Sequence, residues 1–505
     1  MTKKNSNQTF FSKVKNFLSY DISDKTKSLR QPRSKPVAEI EGLISRGSEK
    51  EKLFLKSAAD KLKKSNQIDS SLYTKYDVKR GLRNANGTGV VVGLTRIGDV
   101  CGYETNEKNE KIPIEGKLYY RGIDVEDLVR NCIAEDRFGY EETSYLLLFG
   151  ELPTSKQLDT YMRTLSARRE LPPGFARDMI LGAPSKNVMN KLARSVLALY
   201  SYDDRADDPS IQNVLRQSID LIGYFPTLIA YGYQAERSHY HNESLHLHYP
   251  APDRCTAENI LRMIRPTGEY SDLEAKILDL CMILHAEHGG GNSSSFTTHL
   301  VSSSGTDTYS VISAAVGSLK GPRHGGANVE VLGMIADLKS QVKDITNHKE
   351  VEKYLLRLLN GQAFDGAGLI YGLGHAVYTI SDPRAILIKK MARKLAETYD
   401  RMDDFMLYDF IEKRGAELFS QYKKIDRKIP ANVDLYSGFV YEVLNIPHDI
   451  ATPIFAASRI SGWCAHRLEE LVAGGKLMRP AYINVQPSAP YVPIKHRSNG
   501  SHSSK

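Results

Sequence analysis

From Glu141 onward, apolar residues recur at helical spacing almost without interruption, which restricts this chain to a mainly α architecture. The periodic stretches are Tyr145-Leu146-Leu147-Leu148, Asn187 to Tyr202, Ile211 to Tyr233, Asp272 to His288 and Pro383 to Tyr422. No β-α-β alternation and no repeat of fixed period is present, so the Rossmann and barrel classes lose their main support. Strand signals gather between Gly87 and Tyr120. Val90-Val91-Val92, Ile112-Pro113-Ile114 and Leu118-Tyr119-Tyr120 stand between Asn-Gly and Glu-Gly turns and predict one small β element. At 505 residues the chain exceeds what one small core needs, which predicts at least two domains.

Composition narrows the function classes. No apolar run is long enough to cross a bilayer, so a membrane-spanning reading is excluded. The net charge of +8 is spread widely and is raised by lysine-rich ends, so it points no more to nucleic acid than to small anionic substrates. Cys101, Cys132, Cys255, Cys281 and Cys464 lie far apart without a C-x-x-C pair, which predicts free thiols in a reducing compartment. Residues 1–66 are rich in Lys, Ser and Asn. Their one apolar patch, Phe10, Phe11, Val14, Phe17 and Leu18, recurs at helical spacing beside Lys13 and Lys15. Asp21 and Asp24 argue against a mitochondrial presequence, and no secretory apolar segment occurs. A tether or tail on a cytoplasmic protein is the expectation, with the mitochondrial matrix as the alternative.

Five segments carry candidate chemistry. In Leu284-His285-Ala286-Glu287-His288-Gly289-Gly290-Gly291-Asn292, His288 extends an apolar stripe and Gly289 is placed as a helix terminator. His288 then reads as a buried histidine satisfied by backbone, or, with His285 one turn away, as a metal ligand lacking a third partner. The His-Gly-Gly-Gly run also resembles an esterase oxyanion loop, but no G-x-S-x-G elbow supplies a nucleophile. In Gly321-Pro322-Arg323-His324-Gly325-Gly326-Ala327-Asn328, His324 sits at or just before a helix N-terminus. There the dipole disfavours imidazolium and keeps a neutral hydrogen-bond donor available, although a plain capped turn fits as well. In Tyr371-Gly372-Leu373-Gly374-His375-Ala376-Val377-Tyr378, two glycines permit close backbone approach, and Asp382 caps a helix opened by Pro383 with Arg384 on its first turn. The fourth segment is Pro430-Ala431-Asn432-Val433-Asp434-Leu435-Tyr436-Ser437-Gly438. In the fifth, a helix from Pro453 to Leu471, Phe455, Arg459 and Trp463 share one face. A buried arginine needs an anionic partner, so Arg459 calls for a ligand carboxylate or for a protein carboxylate such as Asp434.

In order and wording these segments resemble the citrate synthase family from about Leu82 to Tyr482. Matching positions are His288, His324 in G-P-x-H-G-x-A-N, His375 with Arg384, Asp434 in N-V-D-x-x-S-G, Arg459, and Arg479 in Met478-Arg479-Pro480. Glu287 stands where the family has Asp, and Gly289 where many members have Glu. The resemblance implies a two-domain helical fold, with residues 67–325 and 446–485 forming a large domain and 326–445 a small inserted one. Residues 1–66 would be an extension and 486–505 a tail. It further implies condensation of acetyl-CoA with oxaloacetate by His324, His375 and Asp434, with His288, Arg384, Arg459 and Arg479 binding oxaloacetate. Gly372, Leu373 and Gly374 would contact CoA, itself a substrate, and no cofactor or metal is required. A homodimer with one arginine crossing between subunits is implied too. The alternatives are 2-methylcitrate synthase, using propionyl-CoA on the same scaffold, and a catalytically silent CoA-binding paralogue. ATP-citrate lyase is disfavoured by length.

Overall fold

The computed structural model describes residues 48–84, 88–107, 110–322, 324–424 and 428–497. The apolar patch at Phe10–Leu18 and Arg323 lie outside them. Two compact units meet at Val91 and Val92. In the first, Glu49–Ser65 is a helix started by a Ser48/Glu51 capping box, and it buries no residue.

Among the described residues the regular structure of the second unit is helical apart from one antiparallel sheet in the order β1-β2-β3, with β1 Gly98–Thr105, β2 Lys111–Tyr120 and β3 Ile123–Asp124. Two of the three expected strand segments merge into β2. The third, Val90–Val92, is not a strand: Val91 is 86% exposed and has no partner strand among the described residues. Its β-branched residues favour extension, but a strand also needs a cross-strand neighbour. β2 pairs instead with Gly98–Thr105, across a bulge between Cys101 and Tyr103.

Two predicted helices are shorter than their periodicity suggests. Asp272–His285 ends three residues before His288, because Ala286 caps it and the Tyr120 hydroxyl lies 3.0 Å from the Ile283 carbonyl and 3.1 Å from that of Glu287. Pro383 to Tyr422 is interrupted: Pro383–Thr398 stops at Asp400, which takes φ 53°, before Met402–Phe410 and Ala416–Lys423 follow around a π turn.

His448–Val472 is the axis of the unit. Every residue from Ile450 to Leu468 is buried, as for a helix enclosed on all sides. Around it pack Ile211–His241, Ser293–Ser302, Thr308–Lys320, Tyr140–Phe149, Asp272–His285, Ala327–Gln341 and Val188–Leu199. Gly462 permits a close approach of the turn at Ala286 and Glu287. A Cβ there would fall 2.5 Å from the Ala286 carbonyl and 2.4 Å from Glu287 Oε2, so the turn before His288 rests directly on helix backbone.

Candidate active site

Three loops, bearing His288, His324 and His375, and three helices, bearing Arg384, Asp434 and Arg459, converge here. The loop bearing His375 is pinned to the segment that leads into the Asp434 helix: Gly374 N–H donates to the Pro430 carbonyl (2.7 Å), Asn432 N–H to the Gly372 carbonyl (2.9 Å), and Asn432 Nδ2 to the Gly374 carbonyl (3.1 Å). Gly372 takes φ 87°, and a Cβ there would meet Leu435 at 2.8 Å, so glycine is needed both for the turn and for the approach. Gly372 to Gly374 thus place His375 beside the Asp434 helix. On its other side the His375 loop leans on β2, where Gly116 N–H donates to Ser381 Oγ (3.2 Å) and the Tyr378 hydroxyl to the Lys117 carbonyl (3.4 Å).

His375 Nδ1 accepts from the backbone N–H of Val377 and of Tyr378, both at 3.0 Å. A nitrogen accepting two such bonds carries no proton, so the ring proton is on Nε2. The ring stacks on Tyr378 at 4.5 Å, and His288 meets both edge-on, at 5.2 Å from His375 and 5.7 Å from Tyr378. His288 lies on the loop past its helix, a correction to the continued helical stripe. Its Nε2 is sealed from solvent with no hydrogen-bond partner. Burial holds the ring well below the ordinary histidine range, and Arg384, His375, Arg459 and His324 all push the same way, so these groups share one field.

His324 sits three residues before the helix Ala327–Gln341, as the sequence predicts. Burial, helped by Arg459, brings it down to about 4, so it is neutral at physiological pH. Its Nε2 lies 3.1 Å from Ser294 Oγ, which accepts from Trp463 Nε1 at 3.0 Å and lies 2.9 Å from Asn292 Oδ1. Asp434, at the second position of the helix Val433–Val443, is capped by Asn432. Burial pushes its carboxyl up to about 6, with Asp382 adding to the rise and Arg384 and Arg459 opposing it.

The two buried arginines of this cluster differ. Arg384 is forked onto Asp382, Nε at 3.0 Å and Nη2 at 2.8 Å, so Asp382 is an ion partner as well as the expected cap. Arg459 has no ion pair among the described residues. Its Nε donates to the His285 carbonyl (2.6 Å), its guanidinium lies over the Phe455 ring, and Nη1 is buried without any partner. The protein-carboxylate alternative is thereby removed, since Asp434 does not pair with it. His285 stacks on Phe455 at 4.4 Å with both ring nitrogens unpartnered. Arg479 is exposed on the chain beyond Val472, unpaired among the described residues, and is the one predicted residue outside this cluster. Ser294, Trp463, Tyr120 and Tyr378 were not legible as site residues; their roles come from tertiary contacts, although Trp463 shares the Arg459 face.

The family model for the citrate synthase C-terminal domain matches residues 84–481. The chain belongs to the citrate synthase family. Among citrate synthases, that of Synechocystis sp. is 34% identical over 387 residues, covering 76% of this chain and 89% of the relative. A 2-methylcitrate synthase of Shewanella oneidensis is 30% identical, covering 75% and 92%. The citrate synthase of Thermoplasma acidophilum, solved as a ternary complex with carboxymethyl coenzyme A and oxaloacetate, superposes with a TM-score of 0.68 at 26% identity, covering 83% of this chain and 99% of its own. The helical citrate synthase fold and the acyltransferase class follow from this membership.

Proposed function

We propose that this chain condenses acetyl-CoA with oxaloacetate and water to give citrate and CoA, using Asp434 as base, His324 as donor to the thioester oxygen and His375 as donor to the keto oxygen. The observation that carries the reading is Arg459, a buried guanidinium with an orphaned Nη1 and no carboxylate of its own, beside His288 with an orphaned Nε2. A dianionic keto acid supplies the acceptors these donors lack. Arg384, its position fixed by Asp382, adds positive charge that is felt at His288 and Asp434.

Removing a proton from the methyl of acetyl-CoA needs a base stronger than an ordinary carboxylate, and burial gives Asp434 that character. The developing oxygen charge needs a neutral donor in a water-poor site. His324 fits: when the Ser294 hydroxyl turns from Asn292 Oδ1 to give its one proton to Nε2, Nδ1 carries the N–H that meets the thioester oxygen. His375, protonated on Nε2, polarises the keto oxygen and yields its proton as the carbon–carbon bond forms. Water then hydrolyses the citryl thioester, releasing CoA. Residues 326–445 act as a small domain closing on the large one formed by 67–325 and 446–485. Gly372, Leu373 and Gly374 border the CoA site, with Gly372 and Gly374 shaping the turn through their bonds to Asn432 and Pro430.

The working unit is a homodimer in the cytoplasm, with Arg479 completing the partner's oxaloacetate site. Arg479 is exposed on a segment that also exposes Tyr482 (94%) and Tyr491 (82%), residues suited to an interface. No described helix is long and apolar enough to cross a membrane. Arg479→Leu and Asp434→Asn subunits, each nearly inactive alone, should regain turnover when co-purified as hybrids. Hybrids without recovered activity would remove Arg479 from the partner site. A thiol-release assay with oxaloacetate and either acetyl-CoA or propionyl-CoA tests the substrate. Faster turnover of propionyl-CoA would favour the 2-methylcitrate reading that the Shewanella relative brings in, because one methylene is worth only about 1–3 kcal/mol in a pocket. No turnover with either would leave a silent paralogue.

A further inference from the structure

Behind the site, on the far side of Glu287, lies a cluster that the condensation does not use. His466 and Glu469 project from one face of His448–Val472 at i, i+3 spacing, and His299 comes from Ser293–Ser302. Among the described residues, one ligand atom from each of the three lies within 4.8 Å of the others. We propose that His299, His466 and Glu469 bind a divalent transition-metal ion of the zinc class that ties the Glu287 turn to the central helix.

The hydrogen bonds around the two imidazoles carry the argument. His299 Nδ1 is 2.7 Å from Glu470 Oε2, and His466 Nε2 is 3.0 Å from Glu287 Oε1. A carboxylate accepts and does not donate, so each ring places its N–H on that side. The remaining nitrogens, His299 Nε2 and His466 Nδ1, then turn lone pairs toward each other at 3.0 Å. Two neutral acceptors so close repel unless a cation lies between them. Nitrogens sharing a tetrahedral zinc sit about 3.3 Å apart, close to the spacing found. A carboxylate behind each ligating imidazole is also the usual arrangement at metal sites, where it fixes the tautomer and strengthens the ligand.

Charge and space favour a dication over a single shared proton. Glu287, Glu469 and Glu470 bring three carboxylates to two imidazoles. Glu469 Oε2 is buried without a hydrogen-bond partner, 3.9 Å from His466 Nδ1, while its other oxygen accepts from Arg96 N–H at 2.7 Å. That orphaned oxygen is the third ligand. Gly290 leaves room for a fourth, solvent ligand: a Cβ there would stand 3.7 Å from His466 Cε1 and 3.8 Å from His299 Nε2. An open fourth position is compatible with two nitrogens and one carboxylate oxygen on zinc.

The test uses the full-length, untagged chain. Elemental analysis after dialysis against zinc, and visible spectra after exchange for cobalt(II), should show one ion per chain in a low-coordinate site. His299→Gln and His466→Gln should abolish both signals, and Glu470→Gln, which touches no ligating atom, should weaken binding by about tenfold to a hundredfold. Zinc should raise the thermal midpoint of the parent and leave that of His299→Gln unchanged. A folded parent that takes up neither metal overturns the proposal, and so does metal that persists in both histidine variants. A midpoint that follows pH through a single protonation while ignoring zinc would place a shared proton between the rings instead. Turnover in the thiol-release assay is a separate readout, so failure here leaves the condensation reading standing.

Discussion

Replacing Arg459 with methionine should separate what the guanidinium does for the substrate from what it does to the fold. Burial draws its pKa down to about 10, against the pull of Glu287, which corresponds to roughly 3 kcal/mol of unfavourable burial at neutral pH. Methionine fills much of the same space without charge. The variant loses the bond from Nε to the His285 carbonyl, at a cost of about 1 kcal/mol. In the absence of substrate, Arg459→Met should therefore be as stable as the parent or about 1–3 kcal/mol more so in urea unfolding. With oxaloacetate the sign reverses. A substrate carboxylate buried without its cation should cost about 3–5 kcal/mol, or roughly 10²–10⁴ in kcat/KM by thiol release. Stabilisation of the fold by oxaloacetate should disappear with it. A methionine variant that is several kcal/mol less stable without substrate, yet binds oxaloacetate like the parent, would refute the reasoning.

Asp434→Asn should bind oxaloacetate yet lose proton exchange at the acyl methyl, read by isotope exchange in deuterated water. In the parent, kcat/KM should fall below about pH 6 as Asp434 protonates. Because that carboxyl is raised on folding, its contribution to stability is complete below the ordinary carboxylate range and is lost as pH rises through about 6. Asp434→Asn should thus be about 1–3 kcal/mol more stable than the parent above pH 6 and equal to it near pH 4, by denaturant titration at each pH. Ser294→Ala leaves Trp463 Nε1 and His324 Nε2 without their shared partner, so kcat should drop by about 10²-fold with little change in KM for oxaloacetate. Deleting residues before Asn66 should leave turnover intact, since the helix Glu49–Ser65 buries none of its residues; a large loss would make the segment a working part.

The candidate cluster was legible where turn chemistry is written in loops. Glycines beside His288, His324 and His375, and the Asp382-Pro383-Arg384 cap, mark backbone that must turn tightly or approach closely, and six of the seven predicted catalytic and oxaloacetate residues converge. What sequence did not disclose depends on partners distant in the chain. Ser294 is an ordinary serine until Trp463 and His324 arrive on either side of it. Tyr120 ends a helix that lies more than 150 residues later, so periodicity through His288 overstated that helix. The break at Asp400 has no proline or glycine to announce it. Val90–Val92 had the composition of a strand but no neighbour, whereas the polar-looking Gly98–Thr105 had one.

Arg459, Gly462, Trp463 and His466 follow one another at i, i+3, i+4 and i+7 along one stripe of a single helix. One rigid rod therefore sets the phase among the buried Arg459 guanidinium, the contact with the Glu287 turn, the Trp463 bond to Ser294 and the buried imidazole pair. Inserting one residue after Arg459 would turn everything downstream by about 100° relative to it, displacing the contacts of Gly462, Trp463 and His466 at once. An insertion of four, close to one full turn, should preserve the angular order while displacing it along the axis. Comparing those two insertions would show whether this helix works as an indexed shaft rather than as inert filling.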